Sequence, residues 1–273
     1  MEKEILTVIL PCAGEGSRLN LKSPKELFEI APGVRLIDFS LNHIRAIYNK
    51  EGKRNLPSIS IKIKVVVVTR PWKMEVAEYV SQRLRGFPEI TVETVMFNDS
   101  YSEWPGSVYS ASEFFSENNL VLLPDSCLCL SEGPSCTLSL STCFNEKGET
   151  LVELLLNVLK EYKLVFGSIE CTEKKILKQL GAMRVEDGEV SAFQDKPFQN
   201  FEQFNHFWGC YGFRKEYGRA IYDFLIKSVR HRPVSLKEQP FYPVGTIPLH
   251  SYWDLGTWEN IKKFRRDCFI LFF

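Results

Sequence analysis

The sequence predicts an α/β protein built on a mixed, mostly parallel β-sheet flanked by helices. Two observations predict it. Four apolar runs, at 5–10, 63–69, 90–97 and 120–123, mark the first half, and helical patterns separate them at 36–50 (LIDFSLNHIRAIYNK) and 72–85 (WKMEVAEYVSQRLR). Strand alternating with helix reads as right-handed βαβ units around parallel strands. The second run contains IKVVVV, β-branched and apolar as in a strand covered on both faces. In such a sheet small ligands bind at the carboxyl ends of the strands, where residues 12–25 and 124–129 both emerge.

The second half is more mixed. Apolar residues at 151, 154, 155, 158 and 159 give 149–163 a helical face. Asp187-Gly188 between two alternating runs within 180–197 signals a hairpin. FWGCYGF (207–213) reads as a strand, 215–229 as a helix, and 245–250 as a last strand. Thr257 is placed to cap a terminal helix. Residues 131–148, rich in Ser, Cys, Thr and Gly, read as an inserted excursion. No internal repeat or linker divides the 273 residues, so one continuous domain, 1–273, is expected.

The 34 basic and 34 acidic side chains cancel, which argues against a field-driven partner such as nucleic acid or an anionic membrane. No apolar run approaches the roughly 20 residues that span a bilayer, and MEKEILTVIL lacks the features of a signal peptide. The terminal CFILFF is expected to pack on the body or on a neighbouring subunit. Eight cysteines, at 12, 127, 129, 136, 143, 171, 210 and 268, show no CxxC pairing. They read as reduced, buried thiols of a cytoplasmic protein rather than a zinc site. The four histidines lack metal-ligand spacing, and no Ser–His–Asp or Cys–His arrangement is evident.

The chemistry concentrates in VILPCAGEGSRLNLKSPKEL (8–27). Gly14 and Gly16 let the backbone turn and bring N–H groups close to a ligand. Arg18 adds a planar fork for phosphate oxygens, and Lys25 a compact positive charge. The loop matches neither the P-loop nor the dinucleotide fingerprint. PCAGEGSRLNLKSPKEL instead resembles the signature of the sugar nucleotidyltransferases (nucleotide-sugar pyrophosphorylases), an A-G-x-G-[ST]-R-[LM] turn followed by P-K. FEIAPGVRLIDFSLNHI continues it in order. So do EWPGSVYSA (103–111), similar to P-x-G-[TL]-A-x-[AS]; LVLLPDSCL (120–128), similar to a strand ending in G-D; GAMRVEDGEVSAFQDKP (181–197), similar to the hairpin ending in E-K-P; and SYWDLGTWENI (251–261), similar to W-x-D-[IT]-G-T.

The resemblance, from about residue 5 to 264, implies a Rossmann-like nucleotide-diphospho-sugar transferase (GT-A-like) fold. It implies a nucleotide-binding half at about 1–130 and an acceptor-binding half at about 149–265. The implied activity is a Mg²⁺-dependent nucleotidyltransferase. It would pass a nucleoside monophosphate from a nucleoside triphosphate to a phosphorylated sugar or sugar-like molecule and release pyrophosphate. In that reading Arg18 meets the leaving phosphates and Lys25 the α-phosphate. Ala13, Gly14 and Gly16 cradle phosphate and base, and Gly106 contacts the base. Asp125 and Asp254 hold Mg²⁺. Lys196 grips the acceptor phosphate, Asp195 accepts from its hydroxyls, and Gly181 and Gly209 line the acceptor site. The family also allows a homo-oligomer, and the absence of hexapeptide repeats implies no appended β-helix.

In the strand motif Pro124 replaces the usual glycine. Three departures bear on specificity: Tyr101 stands where a base-selecting glutamine is common, Phe207 where an asparagine often holds the sugar, and Asp195 where a longer glutamate is usual. They point to an unusual sugar, a cyclitol phosphate or a small amino-alcohol phosphate. A GT-A glycosyltransferase is disfavoured because Asp125-Ser126-Cys127 lacks the second aspartate of D-x-D. An inactive regulatory relative is disfavoured because Arg18, Lys25, Asp125, Lys196 and Asp254 are all present.

Overall fold

A computed structural model describes residues 4–48, 61–132, 140–229 and 234–269. Cys136, His231, the middle of the 131–148 excursion and the apolar end at 270–273 lie outside these residues.

The chain begins with β1 (Glu4–Pro11). A small hairpin of β2 (Glu29–Ala31) and β3 (Val34–Arg35) leads to α1 (Asp38–Ala46). Then follow β4 (Ile61–Thr69), α2 (Met74–Leu84), β5 (Ile90–Met96), α3 (Glu103–Tyr109) and β6 (Asn118–Leu122). Strands β5, β4, β1 and β6 lie side by side, all parallel. The chain runs outward from β1 to β4 and β5, then returns to place β6 on the other side of β1. The carboxyl ends of β1 and β6 therefore flank a topological switch point, where an open α/β sheet has its crevice. On β4, Ile63, Val65 and Val67 enter one core cluster and Val66 and Val68 the opposite one. That two-sided cover is what the IKVVVV run predicts, and each buried valine contributes about 1.5–3 kcal/mol.

After β6 come β7 (Ser126–Cys129), α4 (Leu151–Leu159), β8 (Leu164–Glu170), the short α5 (Lys174–Leu177), β9 (Gly181–Glu186) and β10 (Glu189–Asp195). The chain ends with β11 (His206–Arg214), α6 (Gly218–Val229), β12 (Gly245–Pro248), β13 (Ser251–Asp254) and α7 (Trp258–Phe269). Thr150 and Glu153 form a reciprocal capping box at the start of α4, worth about 1 kcal/mol. Thr257 Oγ1 accepts from the Asn260 amide at 3.3 Å, capping α7 as the sequence suggests. Asp187 and Gly188, at φ 51° and 81°, make the β9–β10 turn, whose two left-handed residues match the twist of the strands.

The sequence-based description of the sheet needs correction in this half. One nine-stranded sheet runs β5-β4-β1-β6-β11-β8-β12-β10-β9, but beyond β6 only the β8–β12 pair is parallel. Strand β9 also pairs back onto β11, at His206↔Met183 and Phe207↔Ala182. Strands β11, β8, β12, β10 and β9 thus close into a five-stranded ring. Sheet twist accumulates along strands and brings the two ends together, so the flanked open sheet describes only the first half.

His43 on α1 is buried, its Nε2–H donating to the Leu128 carbonyl at 3.1 Å while Nδ1 has no partner. Burial, partly offset by that bond, lowers its pKa from 6.5 to about 4. The folded state therefore refuses a proton that the unfolded chain takes below pH 6.5. Stability conferred by neutral His43 should fall as pH drops from about 6.5 to 4, by on the order of 3 kcal/mol. Denaturant unfolding of His43→Gln should lack this acid-side slope. An unchanged slope would contradict the assignment.

Candidate active site

A cavity of about 660 Å³ opens at the switch point, between the loop after β1 and the open end of the β9–β10 hairpin. Of the residues singled out in the sequence, Ala13, Gly14, Arg18, Lys25, Asp125, Gly181, Asp195, Lys196 and Asp254 line it. Gly16, Tyr101, Gly106 and Gly209 do not. Gly16, at φ 68°, bends the loop over the Lys25 methylenes. Tyr101 packs edge-on to Tyr109 and Tyr222, with its Cβ only 2.8 Å from where a Cβ on Gly106 would lie. Gly209 sits beneath the cavity against Leu128 and Tyr252.

The two aspartates meet through a two-stranded ribbon. β7 follows Asp125 directly and pairs antiparallel with β13, with Asp254 opposite Ser126. The Leu255 amide donates to the Asp125 carbonyl at 2.8 Å, which clamps the ribbon's end. Lys25 Nζ donates to Asp125 Oδ2 at 2.5 Å, and Arg18 Nη1 lies 3.9 Å from Asp254 Oδ2. Burial pushes the Asp125 carboxyl up, but the charge and hydrogen bond of Lys25, with Arg18, outweigh it and hold it below the ordinary range. Burial and then the Asp125 charge raise the Asp254 carboxyl, against the Gly256 amide, Arg18 and Lys25. The two carboxylates thus feel each other, and a cation between them would relieve the repulsion. Among the described residues no cluster of three or more His, Cys, Asp or Glu forms a metal site. Two carboxylates alone suit a hard cation that keeps water and phosphate oxygens as its other ligands.

On the opposite wall, the hairpin pairs Asp195 with Gly181. Asp195 is buried, and its amide donates to Ser228 Oγ at 3.0 Å. Lys196 is exposed, and its amide donates to the Leu180 carbonyl at 3.0 Å. Trp208 lies across Gly181, and Trp104 packs on Trp208 with ring centroids 5.0 Å apart. Phe207 faces away from the cavity, buried against Tyr252. The aromatic side chains on this wall are therefore Trp208 and Trp104. Ser107, from the 103–111 motif, also lines the cavity, as do Arg70, Phe97 and Gln179, to which no sequence motif pointed. Among described non-glycine residues with left-handed backbone, only Glu103 (φ 58°) and Lys196 (φ 46°) are not Asn or Asp, and both line the cavity. Such strain costs about 1–3 kcal/mol and gathers where a site needs it.

No protein-family model and no curated protein matches the chain. Solved structures do match it over nearly its full length. A glucose-1-phosphate thymidylyltransferase of Bacillus anthracis, 12% identical, superposes with a TM-score of 0.66 over 98% of this chain and 97% of its own. The fold is that of the nucleotidyltransferases. A UDP-glucose pyrophosphorylase, 14% identical, gives a TM-score of 0.64 over 96% of this chain and 97% of its own. The inositol-1-phosphate CTP transferase of T. maritima, 12% identical, gives 0.60 over 97% of each chain. Within this nucleotidyltransferase fold the cavity brings together loop cations, paired aspartates and the Asp195-Lys196 corner.

Proposed function

We propose that the protein is a nucleotidyltransferase that joins a nucleoside monophosphate to a phosphorylated sugar or sugar-like molecule. The observation that carries this reading is the convergence, in one cavity, of the loop bearing Arg18 and Lys25, the paired Asp125 and Asp254, and Lys196 on the facing wall. The names of the structural neighbours, a glucose-1-phosphate thymidylyltransferase, a UDP-glucose pyrophosphorylase and an inositol-1-phosphate CTP transferase, support it.

An acceptor phosphate oxygen attacks the α-phosphorus. The new P–O bond forms as the bond to the β-phosphate bridge breaks, and pyrophosphate leaves with its electron pair. No covalent nucleophile is needed; positioning and charge neutralisation supply the catalysis. Lys25 and Arg18 neutralise the triphosphate, and Lys196 draws the acceptor phosphate to the in-line side. Asp195 orients acceptor hydroxyls, and the Trp104–Trp208 wall excludes water from that end. Asp125 and Asp254 would hold Mg²⁺, which, when bound, supplies further neutralisation of phosphate charge. Lys25 would exchange Asp125 for phosphate as substrate binds. Among the described residues no cysteine forms a disulfide, in keeping with the reducing, cytoplasmic setting proposed here. No described helix is long and apolar enough to cross a membrane.

Five nucleoside triphosphates crossed with phosphorylated sugars, cyclitols and amino-alcohols, with Mg²⁺ and a pyrophosphate readout, test the reading. Pyrophosphate released only with one acceptor class is the expected result. Silence from every combination, with no nucleotide-induced thermal shift, would refute it.

A further inference from the structure

Lys73, in the turn between β4 and α2, is only 4% exposed, rare for a lysine. Its ammonium has three donors, and all three are used: Nζ donates to the carbonyls of Cys12 at 2.5 Å and Gly14 at 2.8 Å, and to Glu26 Oε1 at 2.8 Å. Glu26 is fully buried and balances the charge. Thr69 Oγ1 donates to the Lys73 carbonyl at 3.1 Å and holds the turn.

A peptide unit is planar and trans, so its C=O and N–H point in opposite directions. Drawing the Cys12 and Gly14 carbonyls onto Lys73 therefore turns the Ala13 and Glu15 amides the other way. Ala13, Gly14 and Glu15 line the cavity. Among the described residues no acceptor takes the amides of residues 13–18. Arg70 Nε donates to the intervening Ala13 carbonyl at 3.1 Å, which fixes the third peptide plane. Successive amides freed in this way make a concave donor set suited to anionic oxygens. Glu26 also adjoins Lys25, and the two side chains diverge, one to Lys73 and the other to Asp125.

We infer that Lys73, with Glu26 as its counter-charge, is a positioning residue that aims the Ala13 and Glu15 amides at the phosphate oxygens of the nucleotide. The inference rests on the nucleotidyltransferase reading. Lys73 never touches substrate; it acts through the loop.

The test titrates ¹⁵N-labelled protein with inorganic pyrophosphate and follows the Ala13 and Glu15 amide resonances. In the native protein both should shift. In Lys73→Met, folded by its amide spectrum, both responses should vanish and pyrophosphate should bind about tenfold more weakly or worse. Native-like binding and amide shifts in Lys73→Met would overturn the inference while leaving the functional reading intact. Native protein that binds no pyrophosphate would overturn both. Should Lys73→Met fail to fold, Glu26→Gln carries the test. It keeps the side chain's shape but removes the counter-charge, and severalfold weaker binding with reduced Ala13 and Glu15 shifts is expected. Unchanged binding there would equally overturn the inference.

Discussion

Asp125→Asn should fold, and, if the proposed reaction holds, should release pyrophosphate at least about 10³-fold more slowly than the native protein at saturating substrates. The side chain keeps its shape but loses the charge that faces Lys25 at 2.5 Å and raises the Asp254 carboxyl. Two consequences are separable. The first is kinetic, because the site loses half of its acidic pair where phosphate charge must be balanced. The second is a titration. With the neighbouring charge gone, the Asp254 carboxyl should move back down toward the ordinary carboxylate range, leaving only burial to hold it up. Carbon-detected NMR of the carboxyl groups reads the shift, and initial rates read the loss. A variant retaining a tenth of native activity would place the chemistry elsewhere.

Gly181→Ala should damage the acceptor side alone. A Cβ there would lie 1.9 Å from Trp208 Nε1 and 2.4 Å from its Cδ1, so Trp208 must swing away. Its contacts with Trp104, Phe166 and Tyr211 would go with it. Overpacking of this kind costs about 1–3 kcal/mol, which denaturant melts would report. The acceptor KM should rise about tenfold or more, because the displaced indole re-forms the wall the acceptor packs on. The triphosphate KM should stay near native, since residues 13–25 approach from the opposite wall. Tryptophan fluorescence would register the movement. Equal losses for both substrates would mean that the wall does not belong to the acceptor.

Much of the fold was legible because its signals are local. The β-branched apolar run at 63–69, the helical face at 149–163 and the Asp187-Gly188 turn each lie within one window, and the structure has β4, α4 and the β9–β10 hairpin there. The ring was not legible. Its closure depends on two residue pairs between β9 and β11 and on the parallel β8–β12 pair, and no local pattern encodes such partners. The site divides the same way. Arg18, Lys25, Asp125, Lys196 and Asp254 sit in segments with recognisable chemistry. Lys73 reads in sequence only as part of the helical pattern at 72–85, and Glu26 only as the neighbour of Lys25. Their burial appears only once β1 and β4 lie side by side. Trp208 rather than Phe207 faces the cavity because alternation along β11 sends neighbouring side chains to opposite faces, and a register shift at Gly209 follows directly.

The closed ring has a consequence for how this molecule meets others. An open sheet has two margins where a stranger's strand can add itself. Here one margin is consumed by the protein's own return onto β11, and β5 is the one full-length margin left among the described strands of the large sheet. Along β5 exposed and half-buried positions outnumber buried ones, and Glu93 sits mid-strand with its side chain in water. A charge in that place discourages a second chain from zipping on. The ring half is thus sealed against unwanted strand pairing by topology, and the parallel half is guarded along β5 by a single carboxylate.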